Sequence, residues 1–252
     1  MEATPSENRD LLTLARGHVR TGPMPDWVTI NNYKPEFTAK VRRAVTPLML
    51  VKQAHAELRE LYVHHALRLE TIPAVQQHSQ WRMEFAPKTD SVILHSIKTR
   101  RGGVEREHLS LEKIQFLRRE VGLEGFIIDG GITLLLLLED VAVGDILEYS
   151  YTIKSQPQLL PEHCGILFDL PLAAEIGKHY FSIRHAPSRE MKWKSSPQSL
   201  APVVNQCAGN QENRRAEDTA PHLNAIELVW QGENVITLEP EEGTPLSEIL
   251  YR

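Results

Sequence analysis

Asp129-Gly130-Gly131-Ile132-Thr133-Leu134-Leu135-Leu136-Leu137-Leu138-Glu139-Asp140-Val141-Ala142-Val143-Gly144-Asp145-Ile146-Leu147-Glu148-Tyr149-Ser150-Tyr151-Thr152-Ile153 holds two hydrophobic patterns in succession. The Gly pair suits a tight turn. The apolar run Ile132 to Leu138 is too short for a typical helix and is bounded by turn signals, which predicts a strand buried on both faces. Gly144-Asp145 breaks the chain. Leu147, Tyr149, Tyr151 and Ile153 then alternate with Glu148, Ser150 and Thr152, a period of two that predicts a strand with one buried and one wet face. Two such strands form the centre of a sheet.

The flanking chain extends the pattern. Leu61, Val63, Leu67 and Leu69 alternate with Tyr62, His64, Arg68 and Glu70. Val75, Trp81, Met83 and Phe85 alternate with Gln76, His78, Gln80, Arg82 and Glu84. Val92 to Thr99, a turn at Arg101-Gly102-Gly103 and a return over Val104 to Leu109 read as a hairpin. Tyr180 to His185 and Met191 to Lys194 read as further strands, and Ala225 to Trp230 with Val235 to Leu238 as a last hairpin around Gln231-Gly232-Glu233-Asn234. Leu111 to Glu120 has helical spacing, with Ser110 as its cap. Residues 46–62 mix a strand signal at Leu48 to Val51 with helix formers from Gln53 to Leu61. The sum is a mainly β chain, an antiparallel β-sandwich-like domain with one or two short helices. Residues 1–26 read as a flexible arm with a short helix around Glu7 to Arg16, residues 27–245 as a single β-rich domain, residues 195–221 as a long mobile loop and residues 246–252 as a tail.

Composition narrows the function. The 252 residues are 41% hydrophobic, enough for a sizeable core, and the net charge of -5 excludes a basic nucleic-acid footprint. Arg100-Arg101 and Arg118-Arg119 read as solvated loop ends. No secretory signal is visible, and no apolar run approaches the ~20 residues of a membrane span, so the chain as written is expected in the cytoplasm. No cofactor site is expected.

The search for chemistry finds little. The eleven histidines lack metal-ligand spacing. His64 and His65 are neighbours that a strand sends to opposite faces, and His65 and His95 read as satisfied inward groups. Cys164 and Cys207 form no framework, and neither has the separated base and orienting partner of a catalytic thiol. The acid pairs Glu139-Asp140 and Glu241-Glu242 lack a second group that would make them an acid/base pair. Of Trp27, Trp81, Trp193 and Trp230, the second and fourth read as core. Trp193, between Lys192 and Lys194, reads as the exposed aromatic and the one binding candidate. No catalytic and no metal residue is assigned.

Several of these segments together resemble a known family. They are Trp27-Val28, the strand Tyr62 to Glu70, Met83-Glu84-Phe85, the Arg-x-Gly-Gly hairpin turn, Leu117-Arg118-Arg119-Glu120, and above all Leu138-Glu139-Asp140-Val141-Ala142-Val143-Gly144-Asp145-Ile146-Leu147-Glu148-Tyr149-Ser150-Tyr151. With the closing Trp230 to Pro240, this order resembles the bacterial domain of unknown function 3857, which lies ahead of transglutaminase-like (papain-type) cores. The resemblance implies antiparallel sheets, strands joined by a turn over Leu48 to Leu58, and no catalytic residue in this domain. It implies a transglutaminase-like domain as partner, in cis or in trans, carrying the Cys-His-Asp constellation; this chain stops about where that domain would begin. The expected role is therefore a non-catalytic accessory module. The rivals are a glycan- or peptide-binding module and a stand-alone enzyme.

Overall fold

The computed structural model describes residues 5–118, 131–156, 165–171, 174–195, 201–208 and 224–237. In chain order they form α1 (Pro5–Gly17), β1 (Val19–Thr21), β2 (Val45–His55), β3 (Glu60–Leu69), α2 (Ile72–His78), β4 (Gln80–Phe85), β5 (Asp90–Arg101), β6 (Val104–Glu107), β7 (Gln115–Arg118), β8 (Ile132–Leu137), β9 (Ile146–Ser155), β10 (Glu175–His185), β11 (Val203–Ala208) and β12 (Asn224–Ile236). The chain is mainly β. A large sheet runs β1-β5-β9-β3-β2-β10-β12-β11, with β6 also on β5, and a small sheet runs β4-β8-β7. The small sheet is antiparallel, while the large one is mixed, because β1 pairs with β5 and β10 with β2 in parallel.

The predicted period of two explains how the sheets meet. Leu147, Tyr149, Tyr151 and Ile153 of β9 join Val92, Leu94 and Ile97 of β5 against Trp81, Met83, Phe85, Ile132, Leu134 and Leu136 of the small sheet. Each fully buried large side chain there contributes about 1.5–3 kcal/mol of hydrophobic stabilisation. The other face of the β8 run is covered only at its start: Thr133 is buried, Leu135 half-buried and Leu137 53% exposed.

The expected wet face of β9 is covered, since Ser150 and Thr152 are buried. An irregular strap, residues 22–44, lies across it. Trp27 and Val28 pack on Met49, Val51, Tyr62, Ala66 and Tyr180. So much irregular backbone is held only where its polar groups find partners. Trp27 Nε1 donates to Glu60 (2.8 Å), Thr29 exchanges two hydrogen bonds with Gln53, Arg68 Nη1 donates to Phe37 O (2.8 Å), and Glu175 accepts from the Lys40 and Val41 amides.

Several expectations need correction. The N-terminal arm is core from Leu11 onward: Leu11, Ala15 and Val19 are buried between the sheets, and β1 is hydrogen-bonded to β5. Val75 to His78 belongs to α2, which Thr71 caps by accepting from Ala74 N (3.3 Å), with Pro73 in its first turn. The helix predicted from Leu111 is one 3-10 turn, Leu111–Lys113, without a Ser110 side-chain cap, followed by β7. Pairing with β8 overrides helix propensity there. Met191 to Lys194 is irregular, and the predicted mobile loop contains β11. The last hairpin is one strand, β12, whose Gln231, Gly232 and Glu233 stay paired with β10. Asn234 at φ +54 makes a local irregularity that mimics a turn in the sequence. At Leu48 to Leu58 the chain is strand and turn rather than helix, as the resemblance implied: β2 runs to His55 and a turn leads into β3. Gly130, Glu120, residues 196–200 and 209–221 of the expected loop and the tail from 246 lie outside the described residues.

Candidate functional site

The family-like string forms the β8–β9 corner. Leu138 is buried and anchors it. Asp140 (φ +57) and Gly144 (φ +92) turn the chain, and Gly144 N donates to Leu69 O while Leu69 N donates to Asp145 O (2.7 and 2.9 Å). The buried Asp145 carboxylate accepts two hydrogen bonds from Arg101 (Nε 2.7 Å, Nη2 2.8 Å) and one from the Ala142 amide (2.8 Å). Arg101 is thus no solvated loop end: it clamps the corner to the β5–β6 hairpin and also donates to Asp140 O (2.6 Å). Beside the clamp is a cleft of about 190 Å³, lined by Arg106, His108, Ser110, Lys113, Leu137 and Glu139 among others. Its cations are already matched, Arg106 by Asp140 (3.2 Å) and Lys113 by Glu139 (3.2 Å). His108 Nε2 lies 2.8 Å from Thr99 Oγ1, and burial lowers its pKa.

Beneath the strap, His64 Nε2 lies 2.8 Å from Glu148 Oε1, Tyr33 OH donates to Glu148 Oε2 (3.0 Å), and Lys98 Nζ is 3.6 Å from the same oxygen. Burial works against the Glu148 charge, but His64, Lys98 and Tyr33 together hold its pKa below the usual range. This arrangement is a clasp, since Tyr33 belongs to the strap and Arg100 stacks over its ring. Tyr33→Phe is expected to cost about 1.5–2 kcal/mol, the lower part of the range for a hydrogen bond to a charged acceptor, in urea unfolding at pH 7. His65 points to the opposite face as predicted. Its Nδ1 is 3.0 Å from Tyr149 OH, and burial with the nearby Lys52 pushes its pKa down to about 3, leaving it neutral. His95 is satisfied by Gly22 O and Thr152 Oγ1. Among the described residues no group of His, Cys, Asp and Glu could hold a metal ion.

Cys164 and the Glu241-Glu242 pair lie outside the described residues. Cys207, on β11, is a free thiol 3.9 Å from the buried Glu227 carboxylate, which pairs with Arg184 (3.1 Å). Burial and the Glu227 charge raise the Cys207 pKa. A thiol held protonated is a poor nucleophile. Its alkylation by iodoacetamide at pH 7.5 is expected to run roughly tenfold slower than that of free cysteine, and Glu227→Gln should narrow the gap.

Trp81 is buried and Trp230 partly buried, as predicted, and Trp193 is 46% exposed. Trp193 leans edge-on against Trp230 (6.4 Å between centroids), which meets Phe168 (6.3 Å), which stacks on Phe181 (5.1 Å). Trp230 and Leu228 share a face of β12, and the register sets Val204 of β11 opposite Leu228. Val204, on this side, is 62% exposed. Trp193 therefore belongs to an apolar patch at the open end of the large sheet, beyond the small sheet.

Residues 56–225 match the domain of unknown function 3857 (DUF3857), a domain of solved structure. The chain belongs to this family. No curated protein matches it significantly. The DUF3857 fold also aligns with a crystal structure described as a putative protease from Parabacteroides distasonis ATCC 8503 (TM-score 0.57, 14% identity). The alignment covers 81% of this chain and 38% of that protein, so the chain spans well under half the length of its structural neighbour. At that identity the likeness concerns the fold.

Proposed function

We propose that this DUF3857 chain is a non-catalytic accessory module that packs against and positions a transglutaminase-like cysteine peptidase or acyltransferase domain, in cis or in trans. One observation carries the reading: the family-like string builds an architectural clamp. Its charged groups are consumed by Arg101, Arg106 and Lys113, and its turn residues set a corner. The neighbour described as a protease has most of its length outside the matched part, which leaves room there for a separate catalytic unit. The test assays peptide hydrolysis and acyl transfer by the chain alone, by a transglutaminase-like core alone, and by both together. The expected result is no turnover by the chain and an altered rate or stability of the core when both are present. Turnover by the isolated chain that Cys164→Ala or Cys207→Ala abolishes would overturn the proposal.

The half-exposed Trp193 ring supports a second reading, a glycan- or peptide-binding module. Retention on a glycan or peptide array that Trp193→Ala removes would favour it over the first.

A further inference from the structure

Sheet edges invite further strands, and proteins blunt them with short strands, charges or bulges. Among the described residues, the other edges of this protein are blunted. β1 has three residues. β6 reads Val104-Glu105-Arg106-Glu107 and is exposed throughout. In the small sheet, β4 turns Gln80, Arg82 and Glu84 outward, and β7 has four residues ending in Arg118. β11 is different. Among the described residues it closes the large sheet and pairs with β12 alone, and it reads Val203-Val204-Asn205-Gln206-Cys207-Ala208, without proline, charge or register shift. Val203 and Val204 are 57% and 62% exposed.

The surroundings of this edge specify what fits it. On the Val204 side stand Trp230 and Trp193, an apolar surface for alternate side chains of an added strand. Lys192 and Lys194 flank Trp193, are exposed, and have no ion-pair partner among the described residues. Two exposed cations beside an apolar edge complement acidic residues. We infer that β11 accepts an extended, acidic and apolar segment of the partner polypeptide as an additional strand. Backbone hydrogen bonds along β11 supply the affinity, and the tryptophan patch with the two lysines supplies the selectivity. This inference rests on the accessory-module reading and names the surface that the module uses.

The test titrates the full chain calorimetrically with a blocked synthetic peptide alternating Val and Glu, and with one alternating Val and Lys. The expected result is a dissociation constant below about 1 mM for the Val/Glu peptide, at least roughly tenfold weaker binding of the Val/Lys peptide, and a similar loss for the Val/Glu peptide on Val204→Lys. The double variant Lys192→Glu/Lys194→Glu, which leaves the strands untouched, should invert the preference and keeps the test decisive if Val204→Lys fails to fold. No binding at 1 mM, equal binding of both peptides, or binding unmoved by these variants overturns the inference. A concentration-dependent dimer that Val204→Lys dissolves also overturns it, by assigning the edge to a second copy. None of these outcomes bears on the turnover assays that test the accessory reading.

Discussion

Asp145→Ala is expected to destabilise the protein by about 2–3 kcal/mol in chemical denaturation at pH 7. The carboxylate is almost wholly buried (side chain 2% exposed) and accepts three hydrogen bonds, two of them from a guanidinium. Alanine removes all three and leaves the Ala142 amide without its acceptor. The loss stays at or below the lower end of the range for broken buried pairs because Arg101 is half-exposed and its freed head can return to water. Asp145→Asn separates charge from shape, since the amide oxygen can still serve Ala142. The pH dependence distinguishes the two as well. Burial raises the Asp145 pKa, but the Arg101 hydrogen bonds, the Ala142 amide and the Arg101 charge bring it below the usual value. A group depressed on folding contributes stability that is present above its unfolded pKa of about 3.9 and is lost as pH falls towards the folded value. Asp145→Asn should therefore flatten the acid limb of the stability curve below about pH 4. An unchanged limb would mean that the clamp carries no linked proton.

The contrast between Leu147-Tyr149-Tyr151-Ile153 and the Arg101–Asp145 clamp shows what the sequence makes legible. The alternation is a local period, and burial against one opposing sheet fixes it, so the strand and its inner face are readable from neighbouring residues. The clamp joins residues 44 positions apart. Nothing local marks Arg101 as different from Arg100, which pairs with Glu105 across its own hairpin. The same limit explains the face of β9 that was expected to be wet. Ser150 and Thr152 are polar and alternate correctly, yet the strap from 22 to 44 covers them, and that strap has no periodicity to read. Leu111 to Arg118, the described part of the helix expected over Leu111 to Glu120, fails for another reason: its helical spacing is real, but about two α-turns are worth less there than a ladder on β8 and the burial of Ile114 and Phe116 against the core. Trp193 was legible as exposed because lysines flank it. Its companions Val204 and Trp230 come from other strands, so the patch and the open β11 edge required the fold.

Gly177→Ala is expected to cost a further-reaching 2–3 kcal/mol, roughly, and to act through the strap. A methyl group at Gly177 would meet Leu48 O at 2.6 Å and the Phe37 ring at 3.1 Å. The ring can yield; the carbonyl cannot without moving β2, whose parallel ladder with β10 begins at the next pair, Lys178 with Met49. A gain of about 0.4–1 kcal/mol from a stiffer unfolded chain offsets part of the cost. Phe37 lies in the strap, where its carbonyl is held by Arg68, and the neighbouring Lys40 and Val41 amides are held by Glu175, two residues before Gly177. The strain therefore falls on the junction that fixes the strap to the parallel pair. Hydrogen exchange should show Lys40 and Val41 losing protection first, followed by β2 near Met49, with the small sheet unaffected. Uniform loss across both sheets would show that the strap and the parallel pair open only with the whole molecule.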